Sequence, residues 1–317
     1  MYKRIDWPTV EPRSKFQTME EVYDTGLHVP MTLIRGHHKD GPDVLITSGM
    51  RGSGYPGTMA CIELAGQIDP REASGRLLMV HPVNVSAFNN RMSAVLPDDG
   101  HNFNLQFPGS SPGCLSEILV HWISDLLNKA NFYLDLHSGD LYEAMSPNVH
   151  YPTQAESEVV NASRAMAKIL DVQYMVKSKA TTGSYNYAAY MGIPSILIER
   201  GGSGSSQRED VSLYKKDIIN ILKHLNFLPG KPEKPPRPPL ELKDIVYLES
   251  SCQACWQPEV WLGQWVKNGQ PIGRTFDFFD KTIQQYRATH KGVVLYILQT
   301  LSTNPGDILL AYGRLRY

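Results

Sequence analysis

The strongest hydrophobic run in the first third of the chain, residues 44–47 (Val-Leu-Ile-Thr), is unbroken. It predicts a strand buried on both faces. A loop of small residues follows, with Ser48, Gly49, Gly52, Ser53 and Gly54. Residues 57–68 then carry Met59, Ile62, Leu64, Ala65 and Ile68 at helical spacing. A strand, a glycine-rich loop and a helix place that loop at the carboxyl edge of a parallel sheet, where open α/β sheets bind their ligands. Taken alone, these residues are equally those of an ordinary βα turn. The alternation recurs. Strands are predicted at 26–34, 75–82, 131–137 and 193–199. Helices are predicted at 116–129, 156–170, 184–191 and 211–225, the first with Ile118, Leu119, Trp122, Ile123, Leu126 and Leu127 on one side. Such alternation indicates an α/β fold with a mostly parallel sheet flanked by helices. Residues 1–30 read as mixed, because Trp7-Pro8 and Glu11-Pro12 disfavour an early helix.

Two stretches break this rhythm. Residues 84–109 show little periodicity but carry aromatics, Asn, Asp and Arg91; a loop of that length in a compact domain suggests function. Residues 228–239 (LPGKPEKPPRPP) are dense in proline, which favours an extended spacer. Beyond it, short β-like runs at 245–247, 260–262, 292–297 and 308–312 alternate with glycine turns, as in a small β barrel or sandwich. The expected organisation is an α/β domain over 1–228, a Pro-rich linker over 229–239 and a small C-terminal β domain over 240–317.

Composition narrows the function classes. A chain of 317 residues, 42% of them hydrophobic, can bury a sizeable core. The formal net charge is −1 and no basic block stands out, so a nucleic-acid partner is not expected. No apolar run is long enough to span a membrane, and the first residues lack the apolar segment of a secretory signal. Four cysteines in this length make no disulfide framework. Cys252-x-x-Cys255 is a lone pair and a weak metal signal; Cys61 falls in the first helix. A reduced, cytoplasmic protein is expected.

Candidate chemistry collects at three strand ends: 51–54, 135–140 and 199–204. The motifs there, DLHSGD with Glu143 following, DGHNFNLQFPG, GIPSILIERGGSG and the C-terminal LGQWVKNGQPIG, resemble the succinylglutamate desuccinylase/aspartoacylase family, from about Val44 to the C-terminus. The resemblance implies a zinc-carboxypeptidase-like fold and amide hydrolysis. It also implies a zinc held by the His and Glu of a G-x-H-G-x-E loop and by the His of D-L-H, with three protein ligands and a water. His137 stands at the D-L-H position and Glu199 at that of the general base. Arg91 matches an arginine that binds substrate carboxylate. Asn104 matches the Asn of N-R-x-F-P-G, whose Arg is here Leu105. Arg200 and Asp135 complete the expected substrate-binding set.

The first loop departs from the family pattern. Arg51 occupies the His position and Gly54 the Glu position. Arginine has no lone pair to donate and glycine has no side chain. A guanidinium about 4 Å from a dication is repelled by roughly 8 kcal/mol at an effective dielectric near 20, whereas a full structural ligand set holds zinc by roughly 10–16 kcal/mol. His137 is then the only family ligand position retained, and no tightly bound zinc, and no other cofactor, is expected. Arg51 is expected to face the cleft and pair with Glu199. The ligand expected is a small anionic N-acyl amino acid or related carboxylate, and the chain could form a homo-oligomer. Three functions stay open: metal-free chemistry with Glu199, His137 and Arg51 in catalytic roles, binding without turnover, and a zinc hydrolase with rewired ligands. Ser53 and Ser138 as nucleophiles would need an adjacent base. A phosphate loop at 49–54 lacks its Lys-Ser/Thr. His101 and His121 read as ordinary histidines, and His150 as a second-choice ligand.

Overall fold

The computed structural model describes residues 7–93 and 95–315. The first six residues of the mixed N-terminal stretch, Met1 to Asp6, lie outside the described residues. Among the described residues seventeen strands form: β1 Ser14–Glu21, β2 His28–Arg35, β3 His38–Ser48, β4 Ser74–Val80, β5 Phe132–His137, β6 Glu143–Met145, β7 Asn148–Pro152, β8 Tyr174–Ser178, β9 Ser195–Glu199, β10 Leu240–Glu249, β11 Ala254–Pro258, β12 Trp265–Val266, β13 Pro271–Phe276, β14 Thr282–Arg287, β15 Gly292–Leu298, β16 Ser302–Thr303 and β17 Ile308–Leu315. The helices are α1 Tyr55–Gln67, α2 Val85–Asn90, α3 Leu115–Leu127, α4 Ser157–Lys168, α5 Ser184–Tyr190 and α6 Arg208–His224.

A thirteen-stranded sheet runs in the order β1-β2-β4-β3-β5-β9-β7-β8-β10-β17-β15-β12, with β6 beside β15. Its centre is parallel: β3 lies between β4 and β5, and β9 follows β5. The first predicted strand shows why this centre is buried on both sides. Val44 and Ile46 pack with α1, α4 and α6 on one face, while Leu45 packs with α3 and α5 on the other. Period-two alternation within a wholly apolar run supplies both cores at once. A separate antiparallel sheet, β14-β13-β11-β16, lies in the C-terminal segment. Among the described residues, no helix is long and apolar enough to cross a membrane.

Four expectations change. Met59 and Ile62 of α1 face solvent, at 40% and 46% exposure. The helix instead buries Gly57, Thr58, Ala60, Cys61, Leu64 and Ala65. Small residues let it approach the sheet so closely that a Cβ on Gly57 would lie 2.9 Å from that of Leu136. The stretch 84–109 is not uniformly irregular: it holds α2 and a single 3-10 turn, Phe103–Leu105. Strands β7 and β8 were not predicted, and neither was β1, which pairs with β2 along its whole length. Lastly, the segment after the prolines does not stand apart from the large sheet. Strand β10 pairs in parallel with β8, and the spacer before it is pinned to α6 by reciprocal hydrogen bonds between Asn220 and the backbone of Glu233.

Candidate functional site

The parallel register sets His137 directly beside Glu199 at the carboxyl ends of β5 and β9. Tyr214 on α6 clamps these two ends together, since its hydroxyl donates to the backbone carbonyls of both His137 and Ile198. Asp135 lies two residues before His137, on the same side of the strand. It is fully buried and accepts from His137 Nε2 at 2.9 Å, from Thr47 Oγ1 at 2.9 Å and from the hydroxyl of Ser184. Asp135 thus lies behind the imidazole, fully buried, and is not among the residues that line the cleft, where a substrate-binding group was expected. A carboxylate with three donors holds a fixed orientation and passes it to the ring.

Burial alone would lower the pKa of His137, but the carboxylates of Asp135 and Glu199 outweigh it and hold the value above the ordinary one. Glu199 is 6% exposed, and its Oε2 has no hydrogen-bond partner among the described residues. Burial pushes its pKa up; the charges of His137 and Arg51 pull the other way without cancelling the rise. The result is an imidazole whose protonated form is favoured, beside a desolvated carboxyl group with an unused oxygen.

Arg51 does face this cleft, but its partner is not the expected one. Its Nη1 donates to Glu143 Oε2 at 3.0 Å, and no hydrogen bond joins it to Glu199. Glu143 is itself fixed: Oε2 also accepts from the Asp140 backbone N–H at 2.8 Å, and Oε1 accepts from Tyr296 Oη at 3.0 Å. Burial opposes the Arg51 charge, but Glu143, Glu199 and Asp140 together raise its pKa. Arg51 Nε and Nη2 make no hydrogen bond to the described residues and remain available.

These groups line a cleft of about 390 Å³ with Asn104, His150, Tyr185, Lys177, Lys179, Lys243 and Tyr247. Lys179 and Lys243 form no ion pair among the described residues, whereas Lys177 pairs with Glu241 at 3.2 Å. Asn104 is held by its Oδ1, which accepts from Ser184 N. His150 stays neutral near neutrality, because burial and the nearby His137 charge push its pKa down to about 4. Roomier depressions exist, of about 610 Å³ beside Lys291 and Arg314 and about 1010 Å³ along Pro236–Pro238. Neither contains a buried acid–base pair, so the smaller cleft is the one with chemistry.

Two expected site residues are elsewhere. Arg200 is 1% exposed and does not reach the cleft. It makes a buried ion pair with Asp217 on α6, Nε and Nη2 at 2.7 and 2.6 Å, and Nη2 also donates to the carbonyl of Asp171. Following Glu199 by one residue at the strand end, it points to the other side of the sheet. Arg91 is exposed and caps α2 in the left-handed conformation, φ 52°, its N–H on the carbonyls of Ala87 and Phe88; it does not line the cleft. Neither serine is hydrogen-bonded to an imidazole: Ser53 Oγ donates to the Asp140 carboxylate, Oδ1 at 2.6 Å, and Ser138 Oγ donates to the Ser53 carbonyl. Sequence reasoning missed Lys179, Lys243 and Tyr247. The period-two spacing of Lys243, Ile245 and Tyr247 was a readable signal that one face of β10 is set apart.

The family model of the succinylglutamate desuccinylase/aspartoacylase catalytic domain matches residues 40–225. The chain belongs to this family. An N-alpha-acetyl-L-2,4-diaminobutyric acid deacetylase of Halomonas elongata is 26% identical over 292 residues, covering 89% of this chain and 84% of that protein. The ectoine utilization protein EutE (DoeB) of Ruegeria pomeroyi is similar in structure, with a TM-score of 0.85 and 26% identity over 98% of this chain and 99% of that one. A succinylglutamate desuccinylase/aspartoacylase of Rhodobacter sphaeroides shares the fold at a TM-score of 0.85 and 22% identity, over 99% of this chain and 100% of that one.

The residues present do not fit the zinc that the family pattern implies. At the loop that should give two ligands stand a guanidinium, already committed to Glu143, and Gly54, which has no donor atom. His137 has one ring nitrogen on Asp135, as metal-bound histidines often do, and Glu199 lies beside it in register. Among the described residues, no group of three metal-ligating side chains converges in this cleft.

Proposed function

We propose that the cleft binds a small anionic ligand of the N-acyl amino acid class, and that Arg51 holds it where relatives hold a metal. The observation that carries this reading is the Arg51 guanidinium, fixed from behind by Glu143 with two nitrogens unused, at the carboxyl edge beside His137 and Glu199. A fixed guanidinium fork suits a carboxylate or a polarised carbonyl, and Lys179 and Lys243 add positive charge along the same cleft. The ligand class draws support from the Halomonas relative, whose name specifies an N-acetylated amino acid.

A second reading is supported by the orphan oxygen of Glu199. A buried carboxyl with a raised pKa can take or return a proton, and His137, whose pKa is also raised, can donate to a developing negative charge. Metal-free proton transfer on the bound ligand is the chemistry this arrangement allows.

A thermal-shift screen with N-acyl amino acids, run with chelator present and paired with product analysis, tests both readings. Stabilisation without product identifies a binder. Product formation abolished by Glu199→Gln identifies an enzyme. Activity lost on chelation would restore the zinc hydrolase. Arg51→Ala should weaken binding about 10- to 100-fold, the loss of a charge-assisted contact; unchanged binding would remove Arg51 from the site.

A further inference from the structure

The loop that carries Asn104 contains a second constellation, outside the cleft. Asp99, His101 and Cys114 each direct one donor atom to a common point, all three atoms lying within 4.8 Å of one another. His101 Nδ1 is 3.6 Å from Asp99 Oδ1 and 3.7 Å from Cys114 Sγ. A tetrahedral ion with Zn–N and Zn–O bonds of about 2.0–2.2 Å and a Zn–S bond of about 2.3 Å separates its ligands by about 3.3–3.6 Å. The two spacings from His101 need only a small contraction, and the Asp99 and Cys114 donor atoms lie within 4.8 Å of each other. The geometry points to a site for a zinc-class transition ion held by Asp99, His101 and Cys114, with its fourth position open to solvent.

Three features agree with this assignment. A thiolate, an imidazole and a carboxylate form a donor set for zinc, cobalt or nickel and not for magnesium or calcium. The carboxylate is already oriented: Asp99 accepts from Ser116 N and Oγ, each at 2.7 Å, and from His101 N at 3.0 Å. Outer hydrogen bonds of this kind fix metal-binding carboxylates; Oδ1, the oxygen 3.6 Å from His101 Nδ1, accepts two of them, and Oδ2, which accepts one, is the oxygen with a lone pair left for an ion. His101 is more than half exposed, so an ion can enter. The ion would join the loop at Asp99 and His101 to the first turn of α3 at Cys114, and Asn104 of the cleft lies within the segment so closed.

The test is metal stoichiometry of the full chain after equilibration with zinc and dialysis, repeated with cobalt to read the thiolate-to-cobalt charge-transfer band. One equivalent is expected, with the band, in the wild type and in His137→Gln; neither is expected in Cys114→Ser or His101→Gln. Cys114→Ser should fold, because serine is a better helix cap and the capping bond from the residue 114 N–H to Glu117 is backbone in origin. Equal unfolding temperatures of the metal-free wild type and variant would check this. Absence of bound metal in the wild type, or an equivalent that survives both loop variants, overturns the site. An equivalent lost in His137→Gln but kept in Cys114→Ser overturns it too, and returns zinc to the inherited position.

Discussion

At the scale of single residues, the cleft depends on which protons its groups hold. Burial and the nearby His137 push the His150 pKa down to about 4 from its ordinary value of 6.5. Its unfolded form therefore binds a proton more readily than its folded form, and the stability it contributes is present above 6.5 and is lost as pH falls toward 4. The window corresponds to a difference on the order of 3 kcal/mol. His150→Gln should flatten this acid limb, as read from unfolding temperature against pH; an unchanged limb would mean that His150 is solvated. His137 has the opposite sign. Its folded pKa is raised, so its contribution is complete below 6.5 and is lost as pH rises through the folded value. Some of this was legible. Asp135 and His137, two residues apart on one strand, must share a face, and the sequence places them together. Arg200 was not legible, because facing Asp217 or facing the cleft depends on how α6 packs behind the sheet.

At the scale of elements, the β3-loop-α1 unit decides the chemistry. Its glycines set the path: Gly49 has φ +67°, and a Cβ there would lie 2.4 Å from that of Pro82. At Gly54 φ is −70°, open to any residue, and an added Cβ would meet the Arg51 carbonyl at 3.1 Å and Gly49 Cα at 3.3 Å, so the loop backbone must give by a few tenths of an ångström to take a side chain. Restoring the family's two side chains tests whether it does. Arg51→His with Gly54→Glu should create a zinc site with His137, measurable as one further equivalent of metal in a Cys114→Ser background. Failure to gain metal would mean that the loop backbone, and not its two side chains, had diverged. The strand, loop and helix were visible in hydrophobic spacing because that spacing reflects local periodicity. The solvent-facing side of α1 was misjudged, because small residues on the other side allowed a closer approach to the sheet than apolar bulk alone suggests.

At the scale of the whole molecule, the C-terminal segment completes the site in two ways. Strand β10 extends the large sheet and lines the cleft with Lys243 and Tyr247. From β15, Tyr296 holds Glu143, which holds Arg51. Tyr296→Phe removes one hydrogen bond, at a cost of about 1 kcal/mol in stability. It should also weaken binding of any N-acyl amino acid that stabilises the wild type by about 3- to 10-fold, read from thermal-shift titrations. Unchanged affinity would show that Arg51 does not depend on the C-terminal segment.

The sequence by itself determined the strand–helix alternation, the parallel centre of the sheet, the family, and that Arg51 and Gly54 stand where the family pattern has its His and Glu. Each follows from short-range periodicity or from the identity of a residue at a motif position. Only the tertiary structure decided that Arg51 pairs with Glu143, 92 residues away, that Arg200 turns inward, that Arg91 caps a helix and that β10 joins the sheet. Those outcomes rest on contacts between distant segments, whose geometry is fixed by packing and leaves no local trace in the order of residues.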